Sequence, residues 1–342
     1  MKRWRNLALG LVFSLLFLWL ALRDLDWSAV GRTLASARWG FLLLAAGIWT
    51  LGLAVRAIRW RVLLGGQVSF SRAFHVLNIG FLINNTLPFR TGDLARAYLV
   101  SRDGEGPSGW AALSTVVAER IIDMLAVVIL LVAVLPVLTI DRAAVNGGLL
   151  MGAVAVVGFA FLLVLAHTPE RTLGFLQRLS APLPLLNRAP LQDLLTRLLA
   201  GLRPLTTWRG LLATILWTAL AWALSVAGSW VLAQVFPALP QSAEMRAALS
   251  LSVVAASFSI IIPFTLASVG PFEAAAIFAL LTVRTPQEVA AAYAVVWHAG
   301  AVVTYTLWGI VGILSLGLSV SQIRQGAMIT VGSPGTSTDA AS

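Results

Sequence analysis

The feature that most constrains this chain is a series of apolar runs close to the roughly 20 residues that an α-helix needs to cross a bilayer. They fall at about 6–22, 40–57, 110–135, 147–166, 211–235 and 289–317. Hydrocarbon offers backbone N–H and C=O groups no water, so such runs are helical and satisfy their own hydrogen bonds. The expected fold is an all-α polytopic membrane protein with about six full spans. Composition agrees, at 59% hydrophobic and 11% charged residues. The net charge of +10 does not point to nucleic acid. A nucleic-acid binder gathers its basic residues on one soluble face, whereas here the arginines sit in short clusters between apolar runs and speak to membrane orientation. With no cysteine in the chain, disulfides, thiolate metal sites and a cysteine nucleophile are excluded. No Walker loop, dinucleotide fingerprint or GxSxG elbow is present, so no cofactor and no metal are expected.

The opening Lys2-Arg3-Trp4-Arg5 and the apolar run after it have the outline of a signal peptide. Arg23-Asp24-Leu25-Asp26 offers no small-residue cleavage site, however, and a retained first span is expected. The second run ends in Arg56, Arg59 and Arg61, with Arg72 beyond, and these are expected to face the cytoplasm with the basic N-terminus. The link 167–209 carries Arg171, Arg178, Arg188, Arg197, Arg203 and Arg209 against Glu170 and Asp193, so it too belongs inside. Its leucines at 191, 194, 195, 198, 199 and 202 recur at helical spacing, as in a helix lying in the interface. Trp27, Trp39, Trp60, Trp110 and Trp208 read as interfacial anchors. Gly148 and Gly152 form a small-xxx-small packing pair.

Two stretches break the apolar pattern. The first runs Ile83-Asn84-Asn85-Thr86-Leu87-Pro88-Phe89-Arg90-Thr91-Gly92-Asp93-Leu94-Ala95-Arg96, and the second runs from Ser257 through Pro263-Phe264 to Gly270-Pro271-Phe272-Glu273. Each has Pro-Phe, then a glycine with an acidic residue soon after, a short helix, a turn with proline (Pro107, Pro286) and an alanine-rich span. In that register Glu119 meets His298. If 73–88 crossed the membrane fully, the arginine-rich link would lie outside. A hairpin over 73–101 that enters from the cytoplasm and returns keeps every arginine cluster inside, and the same bookkeeping starts and ends the Pro263 hairpin on the outer side. The expectation is therefore two re-entrant, broken-helix hairpins arranged as an inverted repeat, an architecture of transporters. The divisions are a two-span pair at 1–62, a first repeat at 70–166, the linker at 167–209, a second repeat at 210–320 and a disordered tail at 321–342. Both termini are expected in the cytoplasm, and the membrane is expected to be the cell (plasma or inner) membrane.

The run from Asn84 to Arg96, the Ala118-Glu119-Arg120-Ile121-Ile122-Asp123 segment and Gly270-Pro271-Phe272-Glu273 resemble the lysylphosphatidylglycerol synthase transmembrane-region family. These are flippase-like membrane proteins similar to the flippase half of MprF-type enzymes, and the likeness covers about residues 5–320. The approach to Glu273 departs from the family's glycine-rich pattern, reading Ala267-Ser268-Val269-Gly270, and His298 stands near the place of an arginine in the last span. The resemblance implies a lipid flippase. The soluble aminoacyltransferase domain of MprF-type proteins has no counterpart in the sequence, so synthase activity is not expected with it.

A charge at the bilayer centre costs roughly 2.5–3.5 kcal/mol on insertion scales, so the charged groups within these runs need partners, water or a ligand. Arg90, Asp93 and Arg96 lie three apart and Glu119 and Asp123 four apart, each set roughly sharing a helix face. By helical rise, Glu119 and Asp123 sit on the order of 13–20 Å into the layer. Arg90, Arg96 and Arg120 are expected to engage a lipid phosphate, for which the guanidinium fork is suited. Asp93, Glu119 and Asp123 are expected to hold the arginines apart or answer a cationic headgroup, and Glu273 is either part of the same binding site or an N-terminal-turn carboxylate matching the helix dipole. A bland alternative is a charge network, such as Arg120 with Asp123, that pins the hairpin to its span. Asn84, Asn85, Pro88, Gly92, Pro263 and Gly270 support the broken backbone, and His298 is either packed and hydrogen-bonded or coupled to protons. The expected partners are membrane lipids with a phosphate-bearing headgroup and no nucleic acid; a homo-oligomer stays open. The substrate is expected to be a polar or charged lipid, a glyco- or aminoacyl-phospholipid or a polyprenyl phosphate. A membrane-embedded transferase acting on a lipid-linked donor is the alternative, and a non-transporting scaffold the third class.

Overall fold

The computed structural model describes residues 2–23, 25–87, 90–102, 106–138, 140, 142–180, 189–259, 265, 267–319 and 322. Pro88 and Pro263, together with most of the tail after 319, lie outside that set. The described residues form α1 (Lys2–Leu22), α2 (Trp27–Ala35), α3 (Gly40–Leu63), α4 (Phe70–Thr86), α5 (Thr91–Ser101), α6 (Gly109–Val134) and α7 (Arg142–His167). There follow α8 (Pro169–Ser180), α9 (Ala189–Ala200), a 3₁₀ turn (Arg203–Thr206), α10 (Trp208–Ala233), α11 (Ala243–Ser259), α12 (Pro271–Leu281) and α13 (Gln287–Ser315). The architecture is all-α. Helix α3, residues Val145–His167 of α7, α10 and α13 are long and apolar enough to cross a membrane; α6 has the length, 26 residues, but carries Glu119, Arg120 and Asp123.

Helix starts follow local chemistry. The side chains of Asp26, Ser69, Ser108 and Thr207 each accept a backbone N–H of the first turn, satisfying a donor that the helix itself leaves free. The second span ends later than the sequence suggests. Helix α3 continues to Leu63, so Arg56, Arg59 and Arg61 lie within it, and Arg59 is 1% exposed. Its charge is met by carboxylates of α6, which removes the reason for a helix to stop there. Trp60 corrects a second expectation: at 0% exposure it is core. Trp27, Trp39 and Trp208 are exposed, as anchors are.

The two broken stretches yield matching units. Helices α4 and α11 have 17 residues each, and α5 and α12 have 11 each; α6 and α13 follow as long spans. Packing matches too. Helix α4 lies on α13 while α11 lies on α6, and α3 lies along α10. Exchange of this kind is what a two-fold axis produces, each patch meeting its counterpart's partner. Contacts between α3 and α10 run in opposite senses: Trp49 meets Gly228, Gly52 meets Leu224, and Arg59 meets Thr218. An axis relating antiparallel neighbours lies across the helices rather than along them.

Helix α7 shows what the outer face is made of. Leu150, Val157 and Phe161 are exposed, whereas Gly148, Gly152 and Gly158 face Leu131, Val128 and Ile121 of α6. Glycine at this spacing lets two apolar helices approach closely.

Candidate functional site

The first break is built by short polar contacts. Helix α4 ends at Thr86, Leu87 turns extended, and Arg90 takes a left-handed φ of 52° before α5 begins at Thr91. Asn84 Oδ1 accepts the Gly92 N–H at 2.9 Å. Gly92 lies so close to the Gly80 carbonyl and the Asn84 side chain that a methyl group has no room. Glycine to alanine inside an open helix gains about 1 kcal/mol. Here the sign reverses: Gly92→Ala is expected to lower the thermal midpoint of the detergent-solubilised protein, and an unchanged or raised midpoint would contradict this packing.

Charged residues then pair across three helices. Arg96 of α5 grips Glu119 of α6 at 2.9 and 3.4 Å and stacks over Trp60 at 4.8 Å. Arg120 reaches back to Asp93 at 2.8 and 3.1 Å. Arg59 of α3 binds Asp123 through both nitrogens, at 2.5 and 3.0 Å, and also lies 3.2 Å from Glu119. Trp222 of α10 donates its indole N–H to Asp123 at 3.0 Å, and Thr218 accepts from Arg59 at 3.2 Å. Charge-assisted, two-pronged pairs of this kind are the strong ones.

Some expected pairings are replaced. Arg120 does not pair with Asp123, although the two are three apart on α6: α5 presents Asp93 to Arg120 and α3 presents Arg59 to Asp123. Arg90, Asp93 and Arg96 do not share one helix face, because Arg90 stands at the left-handed residue before α5 and Arg96 is turned to Glu119.

The second break mirrors the first with other chemistry. Ala267, Ser268 and Gly270 have φ of 50°, 63° and 94°, a costly backbone outside glycine. The Gly270 N–H donates to Glu273 Oε2 at 2.7 Å, and Glu273 Oε1 lies 2.6 Å from His298 Nδ1. His298 Nε2 is 3.0 Å from the Ala267 carbonyl, an atom that only accepts, so Nε2 carries a proton. A second proton must sit between Nδ1 and Oε1. The strained turn is thus held by a carboxyl–imidazole pair that shares that proton, with Phe272 stacked on the ring at 4.4 Å.

Between the breaks lies a cavity of about 510 Å³. Of the residues singled out from sequence, Arg90, Glu119, Arg120, Asp123, Asn84, Asn85 and His298 line it. Asp93, Arg96 and Glu273 stand behind, each gripping a residue that does. Sequence reasoning missed Arg56, whose guanidinium lines the cavity and donates to Ser225 at 2.9 Å, together with Arg59 and Trp222. Arg56 and Arg59 fall on one helical face of an apolar run that continues to Leu64, a signal that both belong inside the helix. The rest of the lining is largely apolar and aromatic, with Trp49, Phe81, Phe258, Phe272, Trp297 and Tyr305. Among the described residues no group of three or more His, Asp or Glu side chains is placed to hold a metal.

The sequence model of the family described as "Lysylphosphatidylglycerol synthase TM region" matches residues 7–309. The "UPF0104 membrane protein PH1989" of Pyrococcus horikoshii is 30% identical over 149 residues. That alignment covers 41% of this chain and 42% of the relative, so the chain spans less than half of the relative's length.

Proposed function

The chain belongs to the lysylphosphatidylglycerol synthase TM-region family of multi-pass membrane proteins, and from that premise we propose that it is a flippase moving a polar-headed lipid between leaflets. The supporting observation is the cavity: lined by charged side chains of α3, α6 and the first break, by aromatic side chains from several helices, and by both helix breaks. Polar backbone and ionised side chains at membrane depth are tolerated only where protein or a wet cavity satisfies them. A headgroup entering here exchanges water for fixed guanidinium and amide donors while its chains lie along aromatic surface.

In this reading α4–α5 and α11–α12 are re-entrant hairpins that enter from opposite faces. The repeated unit takes in α3 and α10 as well, since those helices pair across the axis. Both termini are cytoplasmic, the membrane is the cell membrane, and the N-terminal span and the linker with α8 and α9 flank the two units. The family model concerns the membrane region alone, so no aminoacyl transfer is carried over with it.

The test is leaflet exchange in reconstituted vesicles with labelled lipids of anionic, zwitterionic and cationic headgroup. Exchange well above the protein-free rate for at least one class is expected. No acceleration for any class would overturn the proposal, and product formed from an aminoacyl or nucleotide-sugar donor would favour a transferase.

A further inference from the structure

The pairings leave a remainder. Five arginines, Arg56, Arg59, Arg90, Arg96 and Arg120, share one network with three carboxylates, Asp93, Glu119 and Asp123. Each carboxylate is held by an arginine through both oxygens or at 3.1 Å or less. Asp93, already engaged by Arg120, lies 3.8 Å from Arg90, too long for a hydrogen bond. Arg56 has the Ser225 hydroxyl and, among the described residues, no carboxylate within 4 Å. Two guanidiniums are therefore left over, and both line the cavity.

Resting on the reading of this cavity as a lipid-headgroup site, we infer that the headgroup is a net anion of about two charges, a phosphomonoester or diphosphate, bound by Arg56 and Arg90. A phosphomonoester carries about −1.5 to −2 charges near neutral pH, which matches the excess. A cationic, aminoacylated headgroup finds no carboxylate to receive it, because Asp93, Glu119 and Asp123 are already spent on arginine. It would also add positive charge to a site that has too much. The acyl or prenyl chains take the aromatic wall. Specificity then comes from unneutralised charge, and a wrong-signed headgroup is rejected as well as unrewarded.

The purified full-length protein in detergent reports binding through Trp49, Trp222 and Trp297, which line the cavity. Titration of tryptophan fluorescence with phosphatidic acid, phosphatidylglycerol and its lysine ester should rank them in that order, the monoester at least about tenfold tighter than the lysine ester. Arg56→Gln and Arg90→Gln should each weaken phosphatidic acid by about tenfold or more, the scale of a hydrogen bond to a charged group, with helicity unchanged. Arg56→Lys and Arg90→Lys should fall between wild type and the glutamine variants. Inorganic phosphate should compete only weakly; competition as strong as that of phosphatidic acid would overturn the lipid assignment. Equal or tighter binding of the lysine ester, or glutamine variants that bind like wild type, would overturn the charge assignment and leave transport standing. Failure of every lipid to bind would count against the flippase reading itself.

Discussion

Replacing Arg59 with alanine is expected to destabilise the protein by about 3–5 kcal/mol, the cost of breaking a buried ion pair from one side. The loss is large because two carboxylates depend on that guanidinium. Asp123 would keep only the Trp222 indole, and Glu119 only Arg96. Glu119 is 2% exposed, so water replaces little of what it loses, and Asp123, 17% exposed at the cavity, is hydrated only in part. Arg56→Ala, three residues away, removes no carboxylate's partner and should change stability little. Unfolding of the two variants in mixed detergent measures the difference, and equal losses would show that Arg56 is as structural as Arg59.

Arg120→Ala is expected to bring lipid exchange down to the protein-free rate while the protein still inserts. Insertion survives because Asp93, once released, has Arg90 within 3.8 Å to turn to. That shift spends one of the two cations left for a headgroup, and so the loss of exchange exceeds the loss of one contact. Asp93→Ala should do the same by freeing Arg120 from its anchor. Exchange by both variants in vesicles at the wild-type rate would remove these residues from the site.

Much of the fold was legible. Long apolar runs gave the long helices, and the short helix expected after the second break is α12. The equivalence of the two breaks could be read from Gly92-Asp93 and Gly270-Pro271-Phe272-Glu273. The register that matched Glu119 with His298 has a structural counterpart, since each accepts a partner from its own short helix, Arg96 or Glu273. Partners were not legible where they come from distant helices. Arg59 and Asp123 are 64 residues apart, and nothing in the local spacing of either names the other. Local spacing instead suggested Arg120 with Asp123, a pairing that neighbouring helices override. Counting arginines for topology hid Arg59 for the same reason: a charge cluster at the end of a run looks cytoplasmic until the opposing carboxylates are placed. Trp60 was misread likewise, because its role under Arg96 depends on α5.

The proposed lipid path requires two hairpins that open to opposite faces of the membrane around one charged cavity. The chain's lack of cysteine makes this directly measurable. Ser71→Cys places a thiol at the exposed start of α4, and Ala243→Cys places one at the exposed start of α11. A membrane-impermeant maleimide applied to intact cells and to inverted vesicles should label the Ala243→Cys protein only from outside and the Ser71→Cys protein only from inside. Labelling of both from the same face would contradict the inverted arrangement and, with it, the path proposed for the lipid.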